Sequence, residues 1–274
     1  MFSNKNIIGV FDSGLGGLSV FKHFLKTLPQ YNYIYLGDNA HVPYGGKSKD
    51  VIYEYTKEAI DWLFAQGTNL IIIACNTASA EALRRIQQEY LPKKYPGQKV
   101  LGVIRPLAEA AGQNKKLHKV GIIGTRATID SNVYQTEIKK LNKKIKVYQI
   151  SAPLLVPLIE EGWTHKPEAK NILKSYLQPL KVKNLDALIL GCTHYPFLLT
   201  ETKKIMGKHC LVPNTGDIIA RSLKNYLTRH PELKLKPSAR PIVKFYTTDD
   251  IKQFKKLGEK FLGRPITRIE KIKL

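Results

Sequence analysis

Apolar residues in this chain fall into short unbroken runs, separated by longer stretches where they recur every three or four positions. That alternation predicts strands buried on both faces, each followed by an amphipathic helix, and so a mostly parallel α/β architecture. Ile7-Ile8-Gly9-Val10-Phe11, Tyr33-Ile34-Tyr35-Leu36 and Leu70-Ile71-Ile72-Ile73-Ala74 read as the first three strands. Gly16-Gly17 leads into a helix whose apolar face carries Val20, Phe21, Phe24, Leu25 and Leu28, stopped at Pro29. Further helices are predicted over 48–65 and 79–90. Pro92, Pro96 and Gly97 then interrupt the pattern and read as a connection between domains. Beyond them the alternation restarts, with strands over 100–104, 120–123, 145–148 and 187–190 and helices over 129–141 and 166–180.

One stretch repeats. Ile71-Ile72-Ile73-Ala74-Cys75-Asn76-Thr77 and Leu188-Ile189-Leu190-Gly191-Cys192-Thr193-His194 share an apolar strand, a small residue, a cysteine and a polar pair. The two cysteines lie 117 positions apart. An earlier pair, Val10-Phe11-Asp12-Ser13 and Ile122-Ile123-Gly124-Thr125, sits at nearly the same offset. Two anchors at one offset predict two similar α/β domains, each a mostly parallel sheet flanked by helices, with the site in the cleft between them. Residues 1–97 plus 212–274 form the first domain, to which the chain returns at its C-terminus, and 98–211 form the second.

Composition changes this picture little. Hydrophobic residues make up 43% and charged residues 24%, ordinary for a globular protein, and no apolar stretch is long enough to span a bilayer. Met1 to Asn6 carries no apolar leader or cleavage site, and three cysteines make a poor disulfide framework, so the expected compartment is the cytoplasm. The net charge of +22 raises a nucleic-acid partner. Its lysines are dispersed, as in Lys115-Lys116, Lys143-Lys144 and Lys255-Lys256, and no nucleic-acid-reading motif accompanies them. The spread favours solvated basic faces that steer small anions.

Cys75 and Cys192 therefore carry the candidate chemistry. A cysteine between a strand and a helix meets free backbone N–H groups that favour the thiolate. A buried core cysteine explains either residue alone, but not the matched pair. A zinc site lacks the ligand spacing, with only Cys192 and His194 close, and a hydrolytic cysteine needs no second copy. Two opposed thiols suit removal of a proton from one face of a carbon and its return to the other. The loop Asp12-Ser13-Gly14-Leu15-Gly16-Gly17 can present backbone N–H groups to a carboxylate, while Asp12 handles an ammonium; a plain N-cap is the competing reading.

Four blocks now resemble the signature blocks of the bacterial glutamate racemase family, in order and spacing, across nearly the whole chain. They are Asp12 to Gly17, Asp38-Asn39-Ala40-His41-Val42-Pro43-Tyr44-Gly45, Ala74-Cys75-Asn76-Thr77-Ala78-Ser79 and Gly191-Cys192-Thr193-His194-Tyr195-Pro196. Cys-Thr-His in the last block favours that family over its aspartate racemase relatives. The resemblance implies cofactor-independent racemisation of glutamate for peptidoglycan precursors, without metal or pyridoxal phosphate. Cys75 and Cys192 become the acid and base, aided by Asp12, His194 and Glu160. Asp12, Ser13, Pro43, Tyr44, Gly45, Asn76, Thr77, Thr125, Thr128, Thr193 and His194 become the substrate-binding residues. Helix caps compete as a reading of Thr125 and Thr128, and a surface helix position competes for Glu160. Arg105, Ala152 and Pro213-Asn214-Thr215-Gly216 depart from the family pattern outside the catalytic blocks. A homodimer stays open as an assembly, but with so basic a chain the oligomer interface or regulatory partner of relatives does not carry over.

Overall fold

The computed structural model describes residues 6–274. The run from Met1 to Lys5, read above for export signals, lies outside the described residues. Strands β1 (Ile7–Asp12), β2 (Asn32–Gly37), β3 (Leu70–Ile73) and β4 (Lys99–Gly102) alternate with helices α1 (Leu18–Thr27), α2 (Lys49–Ala65) and α3 (Asn76–Glu81). After α3 come the short turns α4 (Leu83–Arg85) and α5 (Leu91–Lys94), with a π-helical turn (Ile86–Tyr90) between them. Next follow α6 (Ile104–Gly112), β5 (Lys119–Gly124), α7 (Arg126–Asp130), α8 (Val133–Leu141) and β6 (Lys146–Ser151). The chain continues through α9 (Leu155–Glu160), α10 (Pro167–Lys181), β7 (Ala187–Gly191) and α11 (Leu199–Met206). It closes with α12 (Thr215–Arg229), β8 (Val243–Thr247), α13 (Ile251–Leu262) and β9 (Ile269–Lys271).

The strands form two parallel sheets, ordered β4-β3-β1-β2-β8-β9 and β6-β5-β7. Within the larger sheet the run β3-β1-β2 has the same order as β7-β5-β6 in the smaller one, first strand central and third strand beside it. The repeat seen in the sequence is thus a repeat of topology, and it puts Cys75 and Cys192 just beyond the carboxyl ends of equivalent strands. Period-two side chains divide the core: Ile8 and Val10 of β1 face one apolar cluster, Ile7 and Phe11 the other. Helices cover both faces of β1, β2, β3 and β7, which are buried along their whole length, whereas β6 and β9 are partly exposed.

The structure departs from the sequence expectation in three places. The strand near 100–104 is Lys99–Gly102, and it pairs with β3 in the larger sheet instead of opening the second unit. The break over 92–97 therefore lies within the larger-sheet portion, and the chain crosses to the smaller sheet through α6. The helix predicted over 79–90 starts earlier, at Asn76, because Cys75 caps it. The helix predicted over 129–141 is two helices, parted where Asn132 adopts a left-handed conformation (φ 55°). After Leu211 bridges to Ala187, the chain returns to the larger sheet, where β8 pairs with β2.

Candidate active site

Asp12, at the end of β1, is fully buried. Its Oδ2 accepts the Gly14 N–H at 3.0 Å, whereas Oδ1 has no hydrogen-bond partner. Burial pushes its carboxyl above the usual range, against the pull of His194. Such an orphaned acceptor costs free energy unless something polar meets it.

Cys75 follows β3 and takes an extended N-cap conformation, its Sγ accepting the Ala78 N–H at 3.4 Å. The Ser13 hydroxyl also hydrogen-bonds it. Both contacts favour the thiolate, as the sequence suggests. They are outweighed: burial, with the charge of Asp12, pushes this thiol up to about 12. The charge of Cys192 opposes its ionisation as well, which places the two sulfurs within electrostatic reach of each other.

Cys192 has different surroundings. No helix follows β7 directly; a 3₁₀ turn (Tyr195–Leu198) comes first. Its partner is instead His194, whose Nδ1 lies 3.8 Å from Sγ and whose Nε2 lies 3.0 Å from Glu160 Oε1. Burial opposes an imidazolium there, but the hydrogen bonds and charges of Cys192 and Glu160 prevail and raise His194 to about 10. Glu160, the last residue of α9, keeps 29% of its side chain exposed. The sequence repeat thus hides an electrostatic difference. Cys75 sits beside an acid, and Cys192 beside a cation.

Hydroxyls join the two sheets. Thr77, two residues after Cys75, lies 2.9 Å from Thr125 and 3.3 Å from Thr128, oxygen to oxygen, and the latter two are 2.9 Å apart. Thr125 also caps α7 through the Thr128 N–H, so the cap reading describes its local role. Gly45 packs on Thr125 so closely that a Cβ would lie 2.6 Å from its side chain. Gly16 does the same at the other loop, where a Cβ would fall 2.4 Å from His194 Nδ1 and Thr193 Oγ1. Asn76, Thr193 and Ser13 are buried around these groups. Pro43 stands apart, exposed on the loop before buried Tyr44.

Sequence reasoning gave Asp38 no role beyond being the first residue of one of the four matched blocks. It is fully buried and accepts hydrogen bonds from Tyr44 OH (2.6 Å) and Thr248 Oγ1 (2.8 Å), with His41 Nδ1 at 2.9 Å. Its backbone N–H donates to the Asp12 carbonyl. Its carboxylate fixes the Tyr44 loop to the C-terminal strand region, and its backbone N–H fixes that loop to β1. The available signal was a lone acid between a strand and two polar aromatic residues. Among the described residues, no group of three or more His, Cys, Asp or Glu is placed to hold a metal ion.

A sequence profile of the Asp/Glu/hydantoin racemase family matches residues 8–216. The chain belongs to that family. Within it, a glutamate racemase of Sulfurihydrogenibium sp. is 42% identical, over 97% of each chain. Among solved structures, a glutamate racemase isoform from Bacillus anthracis superposes with a TM-score of 0.91 at 33% identity, over 98% of each chain. A glutamate racemase from Francisella tularensis, solved in complex with D-glutamate, gives 0.88 at 35% identity, also over 98% of each. These racemases share the two-sheet architecture.

Proposed function

We propose that this chain interconverts L- and D-glutamate by passing the Cα proton between Cys75 and Cys192. One observation carries the reading: two buried cysteines end equivalent strands of two like-ordered sheets, close enough that charge on one opposes charge on the other. That repulsion suits a pair holding one thiolate and one thiol. Cys192 as thiolate removes the proton of L-glutamate while Cys75 returns one to the opposite face, and the product leaves with the roles exchanged. The similarity to glutamate racemases, one of them holding D-glutamate, supports the substrate.

The α-proton is weakly acidic, so burial and prepaid hydrogen bonds must lower the barrier. Asn76, Thr77, Thr125, Thr128 and Thr193 supply hydroxyl and amide donors for the two carboxylates. The free Oδ1 of Asp12 meets the substrate ammonium. That positive charge offsets the repulsion from Asp12, which adds to burial in raising the Cys75 thiol. His194, 3.8 Å from the Cys192 sulfur and backed by Glu160 on its other nitrogen, is the partner placed to donate to that sulfur when it acts as the base. The two sheets with their helices form the two domains, and closure between them excludes water. The reaction takes place in the cytoplasm and feeds peptidoglycan precursors; no helix among the described residues is long and apolar enough to cross a membrane.

Circular dichroism with L-glutamate and then L-aspartate, no cofactor added, tests the reading. Loss of optical activity with glutamate is expected, and in deuterated water each product should carry deuterium at Cα. Activity on aspartate alone would refute the substrate assignment.

A further inference from the structure

Two buried hydroxyls are absent from the mechanism just described. Ser19, near the start of α1 on the larger sheet, is 2% exposed and donates to the backbone carbonyl of Thr193 at 2.6 Å. A serine at such a position commonly bonds within its own helix; this one reaches across 174 positions to the residue after Cys192. Tyr134, in α8 on the smaller sheet, does the reverse. It is fully buried, its ring packs on Gly191 beside Cys192, and its OH donates to Asn76 Oδ1 at 2.6 Å. Asn76 is the residue after Cys75. By accepting that proton with its oxygen, Asn76 keeps its NH₂ for other partners.

The two contacts are reciprocal, since each sheet's unit sends one hydroxyl to the loop bearing the other unit's thiol. We propose that Ser19 and Tyr134 are positioning residues, Ser19 setting the Cys192 loop and Tyr134 the Cys75 loop, so that each thiol is aligned only when the two units are together. The proposal rests on the racemase reading for its chemistry and on these contacts for its geometry.

The test uses Ser19→Ala, Ser19→Thr and Tyr134→Phe in the full chain. Losing one buried hydrogen bond should lower kcat/KM about fivefold to tenfold in each deletion variant, and Ser19→Thr should restore it. The discriminating readout is the primary deuterium isotope effect with Cα-deuterated substrate of each hand. Loosening Cys192 makes its proton transfer more rate-limiting, so Ser19→Ala should raise the effect for L-glutamate and lower it for D-glutamate; Tyr134→Phe should do the opposite. The mirror pattern would uphold the bracing and exchange the hands assigned to the thiols. Slower turnover with unshifted isotope effects would overturn the proposal. Hydrogen–deuterium exchange reads the bracing without relying on turnover. Ser19→Ala should speed amide exchange over 193–197 about fivefold and leave 76–79 unchanged, with Tyr134→Phe again reversed. Equal changes in both loops, or none, overturn the bracing even if the wild-type chain does not racemise glutamate.

Discussion

The two cysteine loops make an instructive pair. Each follows the third strand of a sheet portion with the same strand order, and each cysteine is buried. Around Cys75 the neighbours are Asp12 and Ser13 from β1 and its loop; around Cys192 they are His194 and, through it, Glu160. One thiol is raised by burial and by the charge of an acid, while the other faces His194, itself raised to about 10. Duplicated topology has therefore been filled with opposite electrostatics. The proton transfer itself requires only that one sulfur be thiol and the other thiolate, with the roles exchanged after each turnover, so the two flanks set how each sulfur reaches both states.

The largest expected effects come from removing either sulfur. Cys75→Ser and Cys192→Ser should each cut racemisation by about a thousandfold or more, measured by circular dichroism. Appreciable turnover in either variant would break the pairing. Next is Asp12→Asn, expected to cost about a hundredfold in kcat. Because the charge of Asp12 adds to burial in raising Cys75, its loss should bring the Cys75 thiol down from about 12, read as faster alkylation of that residue at mildly alkaline pH.

Glu160→Gln is the matching probe of the other side, with a loss of about tenfold. His194 is raised from 6.5 to about 10, so its contribution to stability is complete below about pH 6.5 and fades as pH rises through about 10. Without Glu160 the raised value should fall, and thermal melts across that window should show the alkaline loss of stability setting in at lower pH. An unchanged profile would mean that the pair is silent. Smallest is Thr125→Val, which removes one of three clustered hydroxyls. KM for glutamate should rise about threefold to tenfold with kcat little changed, since the group contacts no reacting atom.

How much of this was legible beforehand depended on range. Strands β1, β2, β3, β5 and β7 show as apolar runs, and the cysteine repeat shows because strand, small residue and thiol are adjacent in the chain. The alliance of β4 with β3 does not show, since register between strands is a tertiary choice with no local mark. Thr125 and Thr128 looked like a cap and are one, yet their contact with Thr77 spans some fifty positions. Asp38, Ser19 and Tyr134 escaped for the same reason. Each is an ordinary residue of its local element, and only the packing of distant loops gives it a partner.

The unlike flanks of the two thiols also have a thermodynamic consequence. Mirror-image substrates have equal free energies, so the equilibrium constant of a racemase is one and kcat/KM must be the same in both directions. An asymmetric site cannot bind both hands identically, however, and here one face offers an acid where the other offers an imidazolium. Whichever enantiomer binds more tightly must then be turned over more slowly at saturation, by the same ratio. The direction of net flux is left entirely to whatever removes the product.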